Sequence, residues 1–162
     1  MIVICLNGPI NAGKSTIGRV LAGMLPDAEF IEGDDHGIPE GVPFQEMIER
    51  ATAWLAGRIG ETQRSFLVIA YPLRPEDFIL LREACAKRGA RLIVVTLAPP
   101  MELVLKDRGT RKLDDEERSR IREMYEEGYA GRDFSDLVIT DIDSPDVMAR
   151  RIRMKVMPPD AA

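Results

Sequence analysis

Five short apolar runs punctuate the chain, and the stretches between and after them repeat their apolar residues at helical spacing. Residues 2–6 (Ile2, Val3, Ile4, Cys5, Leu6) run without a polar interruption and stop at Asn7-Gly8-Pro9, a turn signal. A strand covered on both faces loses its in–out alternation, so this run reads as a buried parallel strand. Residues 15–25 put Ile17, Val20, Leu21 and Met24 on one helical face, and Pro26 stops the helix. Residues 28–31 form a weaker strand pattern closed by Gly33, and the glycines and prolines of 34–43 predict a loop. Residues 44–59 are helical, with Met47, Ile48, Ala51, Trp54, Leu55 and Ile59 on the core face. Strands follow at 66–70 and 92–97, with a helix at 75–87 between them that has Pro75 near its first position and Gly89 just past its end. Pro99-Pro100 opens a helix at 101–107, and a basic break at 108–112 separates it from a helix at 114–127. The four acidic residues that begin the latter suit the positive end of its dipole. Residues 137–139 are the last strand, and Ser144-Pro145-Asp146 caps a final helix to about residue 155.

Strands and helices that alternate in this way build a parallel sheet with helices on both faces, a three-layer α/β/α domain. No repeat or linker divides the chain, so residues 1–157 are expected to form one domain, with 158–162 a frayed tail. The length of 162 residues fits one core, and 45% hydrophobic with 30% charged residues is ordinary for a globular protein. The net charge of −5 is spread along the chain and leaves no basic stripe for nucleic acid. Cys5 and Cys85 lack a CxxC neighbour or metal-type spacing and are expected to be buried, reduced thiols of a cytoplasmic protein. No signal-peptide pattern and no bilayer-length apolar run is present, so no membrane partner is expected.

The chemistry enters at residues 8–15. Gly8-Pro9-Ile10-Asn11-Ala12-Gly13-Lys14-Ser15 fits G-x-x-x-x-G-K-[ST]. With glycine at about 7% of residues, a chance match in a chain this long is on the order of 1%. The context is also what a phosphate-binding loop needs, a strand directly before it and a helix directly after. Its glycines let the backbone wrap phosphates with N–H groups pointing inward, and the helix aims its positive end at the same charges. Lys14 is expected to reach the β- and γ-phosphates of ATP and Ser15 to offer its hydroxyl to Mg²⁺. Gly8, Asn11, Ala12, Gly13, Lys14, Ser15 and Thr16 are therefore the expected nucleotide-binding set, with Thr16 equally readable as a plain first-turn residue.

No N/T-K-x-D segment is present to read guanine, and the strand at 66–70 ends without the acidic pair that polarises water in ATPases. Transfer to a bound hydroxyl is favoured over hydrolysis, which calls for an acceptor pocket and a lid that excludes water. Residues 30–36, Phe30-Ile31-Glu32-Gly33-Asp34-Asp35-His36, lie where such a pocket would begin. This segment resembles the small-metabolite kinases of the nucleoside-monophosphate-kinase-like group. Shikimate and adenylylsulfate kinases carry D-x-D here, and gluconate kinases carry D-G-D with a histidine two residues on. The chain is most similar to gluconate kinases, through Val68 to Leu73, Leu81-Arg82-Glu83 and Asp141-Ile142-Asp143-Ser144-Pro145 as well. It departs from them in lacking the N-I-x-K-M and D-R-x-P-W-L segments, apart from Trp54-Leu55. Ile121 to Glu127 loosely resembles the Arg-before-Tyr-Glu-Glu helix of shikimate kinases.

The resemblance implies a P-loop NTPase domain with a five-stranded parallel sheet in the order 2-3-1-4-5 and a short lid at about 106–114. By motif match, Asp34 orients the acceptor hydroxyl and accepts its proton, Glu32 holds Mg²⁺ through water, and Asp35 substitutes for either. Arg108 and Arg111 are the lid arginines that close over the phosphates, unless they only complement the end of the preceding helix. His36 and Arg74 are candidate acceptor contacts, each also readable as a surface residue. The loop at 140–144 is where the group holds adenine. The expected partners are ATP and a small hydroxylated substrate, with the chain a monomer or homodimer. Chloramphenicol phosphotransferases share the P-loop and an Asp after the second strand, so an antibiotic or nucleoside acceptor is the alternative. A further alternative is a regulatory module that binds ATP without transferring phosphate.

Overall fold

The computed structural model describes residues 1–157, so the tail expected at 158–162 lies outside the described residues. The elements are β1 (Ile2–Asn7), α1 (Lys14–Met24), β2 (Ala28–Glu32), α2 (Phe44–Glu61), β3 (Phe66–Ala70), α3 (Pro75–Arg88), β4 (Arg91–Leu97), α4 (Met101–Val104), α5 (Asp115–Glu126), β5 (Leu137–Ile139) and α6 (Pro145–Val156). The five strands are parallel and ordered β2-β3-β1-β4-β5, as expected.

The continuous apolar runs have a simple cause. Alternate residues of each strand enter opposite layers, and both layers are packed. Ile4 and Leu6 of β1 join Ile17 and Leu21 of α1 and Ile152 of α6 on one face. Val3 and Cys5 join Leu55 and Ile59 of α2 and Leu81 and Cys85 of α3 on the other. Trp54 packs at the margin of this second layer, a core position. Both cysteines are buried free thiols. Burial pushes the Cys5 thiol far up and the Cys85 thiol up to about 11, so neither forms a thiolate near neutral pH.

The helix ends follow the capping chemistry. Ser144 Oγ accepts from the Val147 N–H at the start of α6, and Gly89 ends α3 in the left-handed conformation. Several boundaries differ from expectation, most by one or two residues, and two of the differences have a local cause. Asp114 is the N-cap of α5, accepting from the Glu117 N–H at 2.7 Å while Glu117 accepts from the Asp114 N–H at 3.2 Å. The helix expected over 101–107 stops at Val104 after one turn, because the Asn11 side chain takes the Val104 and Lys106 carbonyls.

One buried polar residue ties the C-terminal ends of the strands together. Asn7, fully buried at the end of β1, donates through Nδ2 to Thr96 Oγ1 at 3.0 Å and to the Tyr129 carbonyl at 3.2 Å. Its Oδ1 accepts from the Leu73 N–H at 2.8 Å. The amide thus joins β1, β4 and the loops that follow β3 and α5. Asn7→Leu removes all three bonds from buried partners. Thr96 Oγ1 keeps its bond to Ser135, so two buried groups are left unpaired at about 1–3 kcal/mol each, an expected cost of about 2–6 kcal/mol. Urea unfolding with an unchanged slope checks this, and a loss under about 1 kcal/mol would show that the loops re-pair without Asn7.

Candidate active site

The loop between β1 and α1 turns at Gly8 and delivers the chain into α1 through Gly13, which has φ 98°. Unlike α5 and α6, α1 has no side-chain cap and no acidic residue in its first turn. Its first N–H groups are left for an anion, which the helix dipole also favours. Lys14 folds back along the loop, and Nζ donates to the Gly8 carbonyl at 2.9 Å and the Pro9 carbonyl at 2.7 Å. Burial of the ammonium lowers its pKa from 10.5 to about 8, against the upward pull of Asp34 and Glu32. Arg111 adds to the lowering.

Ser15 Oγ donates to Glu32 Oε1 at 2.6 Å, so the first turn of α1 and the last residue of β2 present a hydroxyl and a carboxylate side by side. Arg19 Nη2 lies 3.4 Å from the other Glu32 oxygen. This pair suits Mg²⁺, which takes one or two oxygen ligands from protein and completes its shell with water and phosphate.

The chain then turns sharply. The Gly33 N–H donates to the Ala70 carbonyl at 2.9 Å and the Asp35 N–H to the Glu32 carbonyl at 3.1 Å. Residue 33 has to be glycine, because a Cβ there would lie 2.2 Å from the Tyr71 ring. The turn sends Asp34 into a cavity of about 670 Å³ at the C-terminal ends of the strands. Asp34 makes no side-chain hydrogen bond among the described residues, and its carboxylate is exposed to that cavity. Ile10, Leu97, Pro99, Ile142 and Met148 are among its apolar lining residues.

Residues 105–114 overhang the cavity from the other side. Arg108 and Arg111 pair through backbone hydrogen bonds of 3.2 and 3.1 Å, making a tight turn. Arg108 Nη1 donates to the Asn11 carbonyl at 3.0 Å, while Arg111 Nη2 pairs with Glu117 of α5 at 2.8 Å.

The fold therefore gathers Asn11, Ala12, Gly13, Lys14, Ser15, Thr16, Glu32, Asp34, Arg108 and Arg111 around one cavity. Gly8 stands behind it, its carbonyl held by Lys14. Three further candidates, besides Gly8, lie outside its lining. Asp35 is exposed, and His36 Nδ1 accepts from the Ile38 N–H at 3.0 Å, which shapes the loop. Arg74 is engaged by buried Asp77, donating through Nε at 3.0 Å and Nη2 at 2.9 Å. Thr52 Oγ1 donates to the same carboxylate at 2.9 Å. Sequence reasoning missed the Arg74–Asp77–Thr52 cluster and the part Asn7 plays. The i, i+3 spacing of Arg74 and Asp77 at a helix start was the available signal for the first.

No protein-family model matches the chain, and no curated protein matches it. Solved structures do. A gluconokinase from Sinorhizobium meliloti 1021 is similar with a TM-score of 0.75 at 19% identity, over 92% of this chain and 87% of that one. The tunicamycin resistance protein of Deinococcus radiodurans is similar with a TM-score of 0.65 at 20% identity, over 96% and 95%. The Mycobacterium tuberculosis APS kinase, in complex with AMPPNP and APS, gives 0.68 at 18% identity, over 94% and 95%. The chain has the α/β fold of P-loop small-molecule kinases, over nearly its whole length.

Proposed function

We propose that the protein transfers the γ-phosphate of Mg-ATP to a hydroxyl of a small molecule. One observation carries this reading. A single cavity collects a phosphate-binding loop, a hydroxyl–carboxylate pair, a carboxylate with no side-chain partner among the described residues, and two arginines on an overhanging turn. In the roles they suit, the α1 N-terminus and Lys14 hold the β- and γ-phosphates. Ser15 and Glu32 would hold Mg²⁺, which would supply neutralising charge to the phosphate oxygens. Asp34 accepts a hydrogen bond from the acceptor hydroxyl, aligns its oxygen with the γ-phosphorus and takes its proton. The new O–P bond forms as the bond to the ADP oxygen breaks, and the leaving electron pair stays on ADP. Arg108 and Arg111 close over the transferring group and stabilise its spreading charge.

The acceptor is the finer question. Gluconate and shikimate are carboxylates, and Arg74 is the residue placed by sequence to hold one. Its guanidinium is already neutralised by buried Asp77. That pairing favours an uncharged hydroxyl acceptor, such as an antibiotic or nucleoside, over a sugar acid. The tunicamycin resistance protein among the structural neighbours points the same way.

ADP release from Mg-ATP, measured across sugar acids, shikimate, nucleosides, chloramphenicol and tunicamycin, tests both levels. One neutral acceptor is expected to stimulate release. Asp34→Asn is expected to lower that stimulated kcat about 10²- to 10⁴-fold, the usual worth of a general base. Stimulation by a carboxylate alone would reverse the acceptor preference. Tight ATP binding with no stimulation by any compound would favour the regulatory-module reading.

A further inference from the structure

The phosphate loop carries a non-glycine residue in a conformation that glycine would adopt at less cost. Asn11 sits at φ 64°, in the left-handed region that glycine enters freely and that costs other residues on the order of 1 kcal/mol. The retained side chain has a use. Nδ2 donates to the Val104 carbonyl at 2.8 Å and to the Lys106 carbonyl at 3.1 Å. The Val104 carbonyl belongs to the end of the one-turn helix α4, and the Lys106 carbonyl lies just beyond that end. From the opposite direction, Arg108 Nη1 donates to the Asn11 backbone carbonyl at 3.0 Å. Ile10 packs against the small cluster of Val104, Leu113 and Ile121 beneath. One residue of the phosphate loop thus grips the entry leg of the overhanging turn at three points.

The exit leg is braced separately. Asp107 Oδ1 accepts from the Leu113 N–H at 3.0 Å and from Arg118 Nη2 at 3.2 Å, and Arg111 pairs with Glu117. Arg118 and Glu117 both belong to α5.

We propose that Asn11 is a positioning residue. Its amide pins the entry leg of the lid to the phosphate loop, and its carbonyl parks Arg108 beside the phosphate site until phosphate displaces it. Filling the loop then reaches the lid directly, because the residue next to the phosphates also holds the lid's base. This rests on the phosphotransfer reading only in what Arg108 does afterwards. The mechanical link stands on the contacts alone.

Hydrogen exchange with Asn11→Gly, which keeps the left-handed backbone and removes the amide, is the test. Backbone amides of residues 104–111 in the variant are expected to exchange at least about 10-fold faster than in wild type. AMPPNP is expected to protect both 8–16 and 104–111 in wild type, but only 8–16 in the variant. Where an acceptor is identified, kcat falls about 10- to 100-fold with KM for ATP changed less than about threefold, the signature of a misplaced group. Asn11→Gly combined with Arg108→Ala is then no worse than Arg108→Ala alone. Asn11→Asp, which tolerates the same backbone and lacks the two donors, gives the same exchange result should the glycine variant unfold. Unchanged exchange at 104–111 in either folded variant overturns the proposal. A wild-type protein with no acceptor activity would sink the phosphotransfer reading and leave the exchange result to decide this one.

Discussion

Replacing Lys14 with methionine is expected to lower phosphate transfer about 10³-fold or more, the scale on which a single donor to a transferring phosphoryl group acts. Methionine keeps the length and apolar stem and deletes only the charge and its hydrogen bonds. In the free protein those bonds go to the Gly8 and Pro9 carbonyls, at 2.9 and 2.7 Å, so the ammonium already lies against the loop that would hold the phosphates. Its pKa of about 8 gives the prediction a pH signature. Phosphate oxygens favour the charged form, so binding raises this pKa and takes up a proton. ATP affinity is expected to hold steady below pH 8 and to fall about tenfold per unit above it, until the pKa of the bound state is reached. Calorimetry in buffers of different ionisation enthalpy reads the uptake directly, at about half a proton per ATP at pH 8. Folding shows the opposite slope. The unfolded lysine titrates at 10.5 and the folded one at about 8, so the unfolded state binds more protons between these values. Lys14 therefore makes stability rise with pH across that window. Lys14→Met should lose both the proton uptake and this contribution to the slope. Uptake that persists in the variant would assign it to another group.

The parts of this site that the sequence displays are those whose physics is local. The run from Ile2 to Leu6 announces a strand buried on both faces, because neither layer tolerates a polar residue. The glycines and Lys14-Ser15 announce a phosphate loop, because backbone wrapping and one ammonium are needed within a few residues. Glu32 and Asp34 were reachable because β2 ends at the same edge of the sheet as β1, one strand away, where Glu32 meets the start of α1. Arg74 shows where local reading stops. Its position after β3 suggested the acceptor side, but its engagement depends on Asp77 being buried beneath α2, where Thr52 completes the cluster. Asn7 and Asn11 are hidden for the same reason. Asn7 reads as a turn residue and Asn11 as a phosphate-loop residue, and each owes its further use to carbonyls or amides about sixty or more positions away. The helix expected over 101–107 failed on two such bonds. Its apolar and basic residues are compatible with a helix, and nothing in them shows that Asn11 takes the Val104 and Lys106 carbonyls.

Gly8→Ala is the second change expected to have a large effect, and Gly23→Ala is its counterweight. Gly8 has φ 142°, and a Cβ there would lie 2.4 Å from the Leu97 carbonyl oxygen. That oxygen cannot give way. Leu97 is the last residue of β4, is 1% exposed, and is held in register with Ile139 of β5. The strain must go into the phosphate loop or into the sheet beneath it. Overpacking costs about 1–3 kcal/mol and a disfavoured backbone conformation about 1–3 more, so the expected loss is about 2–6 kcal/mol. A loop that shifts to relieve the clash also moves the N–H groups that face the phosphates, and ATP affinity is expected to fall about 100-fold. Gly23 lies in α1 with nothing within 4 Å of its added Cβ. Alanine there is expected to stabilise the helix by about 0.5–1 kcal/mol, by restricting the unfolded chain and favouring the helix. The two substitutions make the same chemical change 15 positions apart in the chain, and opposite signs are required of them. Thermal and urea unfolding of both, with ATP titrations alongside, decides the matter. A Gly8→Ala protein as stable as wild type would mean that the close approach of the loop to Leu97 is not what holds the phosphate site in shape.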